Sequence, residues 1–371
     1  MAAHAQDTAA PRVWVLLGLG AGGNAQLVGL AEALGWPFEV KRLRYNALNL
    51  CPNPLLGATR VTVDRRRSDA LAPPWPDLLI AASRRAAPVA LWIKRQSGGR
   101  TRLVHLLHAQ APLGQFDLVV TMPQYRLPQR PNVLHTLLPL NPLDAQRLQQ
   151  AAAVWQPRLS ALPRPWIGVL VGGDSSSYRM TAAVGARLGA TASAAARAAG
   201  GSLLITTSPR TPRAAADALL GAIDGPAEVY LWHQRRGEDN PYAAYLALAD
   251  RFIVTADSAS QLAEACATGR PIELFDWPVR RHWLQPLARA LLALPGLARL
   301  HATAVAVGLI KPRRDFAALH QALRARGLLG GQAPGGRTLA EDELMHTVAR
   351  IRRLMNASPQ PVTANRRACP P

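Results

Sequence analysis

Short apolar runs alternate along the chain with stretches whose apolar positions recur every three or four residues. Residues 13–17 form such a run, a glycine-rich turn comes next, and in residues 24–34 the apolar Leu27, Leu30, Ala31 and Leu34 share one helical face. The unit reads strand, glycine loop, helix. The cycle continues with an extended stretch at 38–43, a strand at 78–81, a helix at 86–95 ended by Gly98 and Gly99, and strands at 103–107 and 118–120. Around residues 140–165 the pattern changes: 143–155 reads as a connecting helix, and Pro157, Pro163 and Pro165 punctuate the stretch after it. A second cycle predicts strands at 167–171, 203–206, 229–232, 252–255 and 272–275. Helices at 181–199, 212–220, 241–248 and 259–268 separate them. Strands that are continuously apolar and separated by helices belong to a parallel sheet covered on both faces.

The expected organisation is a disordered tail at 1–11, an N-terminal Rossmann-like domain at 12–142 and a linker at 143–165. A C-terminal Rossmann-like domain at 166–290, basic C-terminal helices at 291–356 and a disordered tail at 357–371 complete it. The fold class is α/β, with two parallel-sheet domains facing each other across a cleft.

Composition narrows the function classes. Of 371 residues, 49% are hydrophobic and 18% charged, with a mean hydropathy of +0.01, which excludes an unfolded chain. The three cysteines, Cys51, Cys266 and Cys369, are far apart and form no CxxC pair, so a reducing compartment is expected and no metal site. A net charge of +20 favours anionic partners. It is carried by scattered arginine pairs and one triplet, Arg65 to Arg67, and only 5% of residues are aromatic, which argues against sequence-specific nucleic-acid binding. Glycines and amides interrupt the uncharged residues 13–31, so neither a signal sequence nor a membrane helix is read there. The expected location is cytoplasmic, with peripheral contact to an anionic membrane surface at its inner face.

Open parallel sheets bind ligands beyond the carboxyl ends of their strands, which makes the strand-end loops the candidate sites. In the first half the loop holding Gly18, Gly20, Gly22, Gly23, Asn24 and Gln26 fits GxGxxG. No acidic residue stands about 20 positions on, as a dinucleotide site requires; Arg42, Arg44 and Tyr45 occupy that region. A tight turn and a substrate-cleft loop are the other readings. In the second half, Gly172, Gly173, Asp174 and Ser175 come after one strand, and Thr207, Ser208 and Arg210 after another. Small hydroxyls, free N–H groups and a guanidinium suit a phosphate, and the same hydroxyls also suit helix caps. Residues 240–271 hold Asn240, Asp257, Ser258, Ser260 and Glu264. The helix begins near Ser258, and Glu264 lies one turn after Ser260, where its carboxylate can accept from ribose hydroxyls or stand as a solvated helix residue.

The order Thr-Ala-Asp-Ser-Ala-Ser and then Glu-Ala-x-Ala-x-Gly-Arg-Pro resembles the nucleotide-sugar half of GT-B glycosyltransferases. That resemblance implies diphosphate binding at Ser258 and Ser260 and ribose binding at Glu264. The blocks GGNAQLVGLAEALG, PDLLIAASRRAAPVALWIKRQSGGRTRLVHLL, FDLVVTMPQYRLPQRPNVLHTLLPLNP and GGDSSSYRMT resemble the family of the plant elongated-mitochondria fission factor and its bacterial homologues. Its plant member is an adaptor for a dynamin-related protein, which implies a binding or adaptor role as the alternative to catalysis.

The expected activity is metal-independent glycosyl transfer from a nucleotide-diphosphate sugar, with no cofactor, and a lipid-linked acceptor is among the expected partners. The first glycine loop lacks the His, Asp or Glu base that such enzymes carry, leaving Asp117, His105 and His108 as base candidates; Gln124 and Tyr125 read as acceptor contacts or as loop packing.

Overall fold

The computed structural model describes residues 10–140, 143–235, 239–279, 294–310, 314–330 and 336–357. Most of both expected tails, the pairs Arg280-Arg281 and Arg313-Arg314 in part or whole, the helical reading just after Trp283, and Cys369 lie outside the described residues.

Two parallel sheets form the molecule. The first has six strands in the order β2-β1-β3-β4-β5-β6, with β1 at Val13–Leu17, β2 at Phe38–Arg42, β3 at Leu78–Ala82, β4 at Arg102–Leu106, β5 at Leu118–Thr121 and β6 at Val133–His135. Helix α1 (Ala21–Leu34) covers one face, short α2 (Asn53–Leu56) lies in the long β2–β3 connection, and α3 (Ser83–Gln96) covers the other face. The strands pair in parallel throughout, as at Val13 with Phe38 and Leu78. Continuous apolar runs demand this burial on both sides: Leu78, Leu79 and Ile80 have no exposed surface.

After α4 (Ala145–Leu159) comes the second sheet, five strands in the order β11-β10-β7-β8-β9, with β7 at Trp166–Val171, β8 at Ser202–Thr207, β9 at Ala227–Tyr230, β10 at Arg251–Thr255 and β11 at Ile272–Phe275. Its helices are α5 (Ala182–Ala199), α6 (Arg213–Gly221), α7 (Trp232–Arg235), α8 (Tyr242–Leu248) and α9 (Ala259–Ala267). Gly185 and Gly189 let α5 lie directly on α6, since a Cβ at Gly185 would stand 2.0 Å from the Ala215 carbonyl oxygen and one at Gly189 2.4 Å from that of Leu219. Strand β6, α2 and α7 were not expected from periodicity: each is three or four residues long, too short to display a period. Helix α4 runs through Pro157, expected as punctuation, to Leu159.

Among the described residues three later helices follow: α10 (Pro295–Ala306) packs on the first lobe, while α11 (Phe316–Ala325) and α12 (Gly336–Asn356) touch both lobes. Leu344, Val348 and Ile351 of α12 enter the apolar core beneath the first sheet, and the Glu343 carboxylate accepts from the backbone N–H groups of Leu137 at 2.6 Å and Leu138 at 2.9 Å. Residues 314 and 315 join the carboxyl edges of both sheets. The Ser177 hydroxyl beyond β7 donates to the Arg314 carbonyl, and the Asp315 N–H donates to the Gln124 carbonyl beyond β5. Two Rossmann-like lobes with their strand ends turned toward one another form the expected GT-B-like arrangement. Among the described residues no helix is long and apolar enough to cross a membrane.

Candidate functional site

Strand β7 is followed by two glycines because nothing larger fits. A Cβ on Gly172 would stand 2.3 Å from the Asp257 carboxylate, and one on Gly173, at φ 154°, would stand 2.1 Å from the Arg210 carbonyl oxygen. The loops after β7, β8 and β10 thereby converge on Asp257. Its Oδ2 accepts from the Gly173 N–H at 2.9 Å and from Arg210 Nη1 at 2.8 Å, and Arg210 Nη1 also donates to the Asp174 carbonyl at 3.0 Å. The Asp257 side chain is fully buried, whereas that of Arg210 is 42% exposed. Burial pushes the Asp257 carboxyl above its ordinary range, while Arg210 and the Gly173 N–H pull it back. The structure therefore gives the donors expected for a phosphate, one N–H and a guanidinium, to an internal carboxylate. Arg210 keeps an exposed edge but is not a free cation.

Most of the expected hydroxyl ligands do turn and cap work. Ser208 Oγ donates to the Gly172 carbonyl at 2.5 Å and accepts from the Arg210 N–H at 3.2 Å. Thr207 Oγ1 accepts from the Trp232 N–H, and Ser175 Oγ from the N–H groups of Ser177 and Tyr178. Asp174 Oδ1 accepts from the Met180 N–H at 2.8 Å, and exposed Asn240 caps its own turn through the Tyr242 N–H at 3.0 Å. Ser258 differs: it is the N-cap of α9, yet its side chain makes no cap bond, and no acidic residue occupies the first turn. Further along α9, the Glu264 carboxylate accepts from the Tyr242 hydroxyl, whose pKa burial raises well above its ordinary value, so the phenol remains a donor.

Across the gap, α1 begins at Ala21, three residues earlier than periodicity suggested, with Gly20 as a cap that offers no side chain. Asn24 is spent locally: its amide donates to the Gly18 carbonyl at 2.9 Å and accepts from the Gly18 N–H at 3.1 Å. Buried Gln26 donates to the Gly22 carbonyl at 3.2 Å. Gly23 lies in the same first turn of α1, partly exposed. Gly22 faces the other lobe, where a Cβ would stand 3.2 Å from Ser260 Oγ. The starts of α1 and α9, neither with a side-chain cap or an acidic first turn, thus meet at the cleft. Each leaves N–H groups without helical partners at the positive end of its dipole, an arrangement that attracts anions.

The remaining first-lobe candidates fall elsewhere. Gln124 and Tyr125 are buried, the tyrosine beside His108 and under Arg314, an arrangement that packs the loop. Asp117 precedes β5 at the amino edge of the sheet, remote from the cleft, where Lys94 Nζ at 2.6 Å and Arg102 Nη1 at 3.3 Å hold it. His105 is buried with Nε2 3.0 Å from the Ser83 carbonyl, and burial lowers its pKa to about 4. His108 Nδ1 accepts from the Gln110 N–H at 2.9 Å, which places the proton of the neutral ring on Nε2 and makes that atom a donor. Asp117 is thus held at the far edge of the sheet and His105 stays neutral in the core, whereas His108 follows β4 on the carboxyl edge.

A cluster of strained backbone had no signal in the sequence. Non-glycine residues with positive φ gather beyond β3, β4 and β5: Ser83 at 67°, Leu107 at 70°, Gln110 at 51° and Arg126 at 48°. Such strain collects at functional edges. None of the four is glycine or asparagine, so residue type did not reveal it.

The profile of the family described as Mitochondrial fission ELM1 matches residues 21–306. Mitochondrial fission protein ELM1 of Arabidopsis thaliana is 30% identical over 219 residues, covering 53% of this chain and 51% of that protein, so the chain spans about half the length of this curated relative. An uncharacterised protein of Rickettsia prowazekii is 22% identical over 294 residues, covering 71% of this chain and 82% of that one. Among solved structures, UDP-GlcNAc 2-epimerase from Methanocaldococcus jannaschii superposes with a TM-score of 0.46 at 11% identity, covering 91% of this chain and 99% of that one. A glycosyltransferase from Rickettsia africae gives 0.44 at 10% identity, covering 94% and 100%.

Proposed function

The chain belongs to the mitochondrial fission ELM1 family, and for this member we propose that the cleft binds a nucleotide-diphosphate sugar and transfers the sugar to an acceptor approaching from the first lobe. The observation that carries this reading is the meeting of two uncapped helix starts, with Gly22 against Ser260. A diphosphate seated there receives backbone N–H groups from both lobes, so its binding also closes the cleft. Ser258 and Ser260 add hydroxyls, the exposed edge of Arg210 adds charge, and Glu264, oriented by Tyr242, stands where a ribose would lie. Charge developing on the leaving diphosphate is then met by preorganised dipoles.

A second reading, a nucleotide-responsive scaffold without chemistry, draws on two observations: the amides of the first glycine loop are locked to Gly18 and Gly22, and Asp117 is tied to Lys94 at the far edge of the sheet. Thermal unfolding with UDP, GDP and UDP-sugars tests the common core of both. A bound nucleotide at a hundredfold excess over its Kd adds about 2.7 kcal/mol of stability. Gly22→Val, which fills the gap against Ser260, is expected to abolish that gain while leaving the ligand-free midpoint near its original value. If no nucleotide moves the midpoint at millimolar concentration, the site reading fails. Sugar release from a bound donor separates transferase from scaffold.

A further inference from the structure

The long β2–β3 connection carries a feature that the nucleotide site does not use. Its 3-10 turn at Ala47–Leu50 and the adjoining α2 point leucines outward: Leu48 is 47% exposed, Leu50 79% and Leu55 82%. These side chains are displayed on a rigid mount. Arg84 Nη2 donates to the Asn49 carbonyl at 2.5 Å and Nη1 to the Cys51 carbonyl at 3.2 Å, while buried Asn53 donates to the carbonyls of Arg84 and Ala109, both at 2.8 Å. Asn46 joins the turn to the Val61 carbonyl at 2.8 Å, adding another apolar residue that is 52% exposed. The turn lies beside the first glycine loop, since Tyr45 packs against Gly18, and that loop exposes Leu19.

The connection that carries the leucines is also basic, and its residues 64–69 pair with 42–44 at the end of β2. Residues 41–70 contain Lys41, Arg42, Arg44, Arg60 and Arg65 to Arg67 against only Asp64 and Asp69, and Arg42, Arg44, Arg65, Arg66, Arg67 and nearby Arg85 are exposed. Asp69 Oδ2 accepts from the Arg42 backbone and Asp64 caps the turn at Arg66, so both acids are used in holding the loop. Projecting leucines on a connection rich in exposed arginines match the interface of an anionic bilayer, where apolar tips enter the acyl boundary and guanidinium groups meet headgroup phosphates. A protein interface instead has a core depleted of charge within a polar rim.

We propose that this edge of the first lobe, with Leu48, Leu50 and Leu55 as its apolar tips and Arg65 to Arg67 as its charged rim, docks the protein on anionic lipid membranes. The glycine-loop mouth of the cleft lies alongside this edge and so would face the lipid. The inference does not depend on what the cleft binds.

Co-sedimentation of the full chain with vesicles of phosphatidylcholine alone, and of phosphatidylcholine with one-third phosphatidylglycerol, tests it. Binding to the anionic vesicles is expected to be at least about tenfold tighter and to weaken as salt is raised. Leu50→Asp with Leu55→Asp, both at exposed positions that leave folding intact, is expected to remove most of that binding, as is Arg65→Glu with Arg66→Glu and Arg67→Glu. Equal charge reversal at exposed Arg147, Arg213 and Arg324, on α4, α6 and α11, should cost much less. A polarity-sensitive dye on Cys51, exposed next to Leu50, in a Cys369→Ser background should shift to the blue on anionic vesicles. Equal binding to both vesicle types, equal losses from the two arginine sets, or unchanged binding after Leu50→Asp with Leu55→Asp would overturn the proposal. So would a self-association, seen by analytical ultracentrifugation, that those leucine changes abolish.

Discussion

His105 shows how a single side chain converts burial into pH dependence. Its ring lies within the first sheet, packed edge-on to Phe116 with centroids 5.0 Å apart, and its folded pKa is lowered from 6.5 to about 4. The unfolded chain therefore binds a proton that the folded one refuses. The stability this contributes is complete above pH 6.5 and is lost as pH falls toward 4. At 1.36 kcal/mol per unit the loss approaches about 3 kcal/mol. Urea unfolding of His105→Gln across that window should show a flatter pH dependence than the original chain; parallel curves would refute the assignment. The same residue shows what sequence could and could not tell about the site. A histidine in an apolar strand is visible as a base candidate, but its neutral state comes from burial against neighbours such as Phe116, strong enough to outweigh the Ser83 carbonyl that favours the proton, and only folding brings both to it. Arg210 and Asp257 make the point more sharply, since residues 47 positions apart reveal no ion pair in a linear reading.

At the scale of elements, the pairing of α5 with α6 depends on the absence of two Cβ atoms. Alanine at 185 is favoured by helix propensity by about 1 kcal/mol. The carbonyl of Ala215 would nonetheless lie 2.0 Å from the new methyl group, so the helices must separate. Overpacking of this kind typically costs about 1–3 kcal/mol, and a backbone obstacle places Gly185→Ala toward the upper end. Its thermal midpoint should fall by several degrees, while Gly221→Ala, with open space around it, should leave the midpoint nearly unchanged. Elements were legible where burial imposes a period: the strands with continuous apolar runs and the long helices appear within a few residues of expectation. Boundaries failed where capping and tertiary contact decide. Helix α1 gained a first turn that reads as glycine loop, because Asn24 folds back on Gly18, and β6 is held by pairing with β5.

At the scale of the whole molecule, the two-lobed plan was legible because both halves repeat the strand-helix cycle, but the role of the last helix was not. Residues 291–356 read only as basic C-terminal helices, and nothing in that pattern says that an apolar face of the last one belongs to the first sheet. Glu343 tests that dependence. Its carboxylate holds the backbone beyond β6 through Leu137 and Leu138, although burial raises its pKa. Glu343→Ala leaves two N–H groups to find other partners, at roughly 1–3 kcal/mol. Amide exchange should quicken at 137–138 and along α12 while the second sheet stays protected; uniform quickening across both lobes would contradict this. Leu344, Val348 and Ile351 carry the consequence further. On the ribosome, the first lobe emerges early but cannot seal its underside until α12 is translated, after every strand of the second lobe. The nascent chain therefore exposes an unfinished apolar surface throughout synthesis of the second lobe. Of the two lobes, the one made first is completed last.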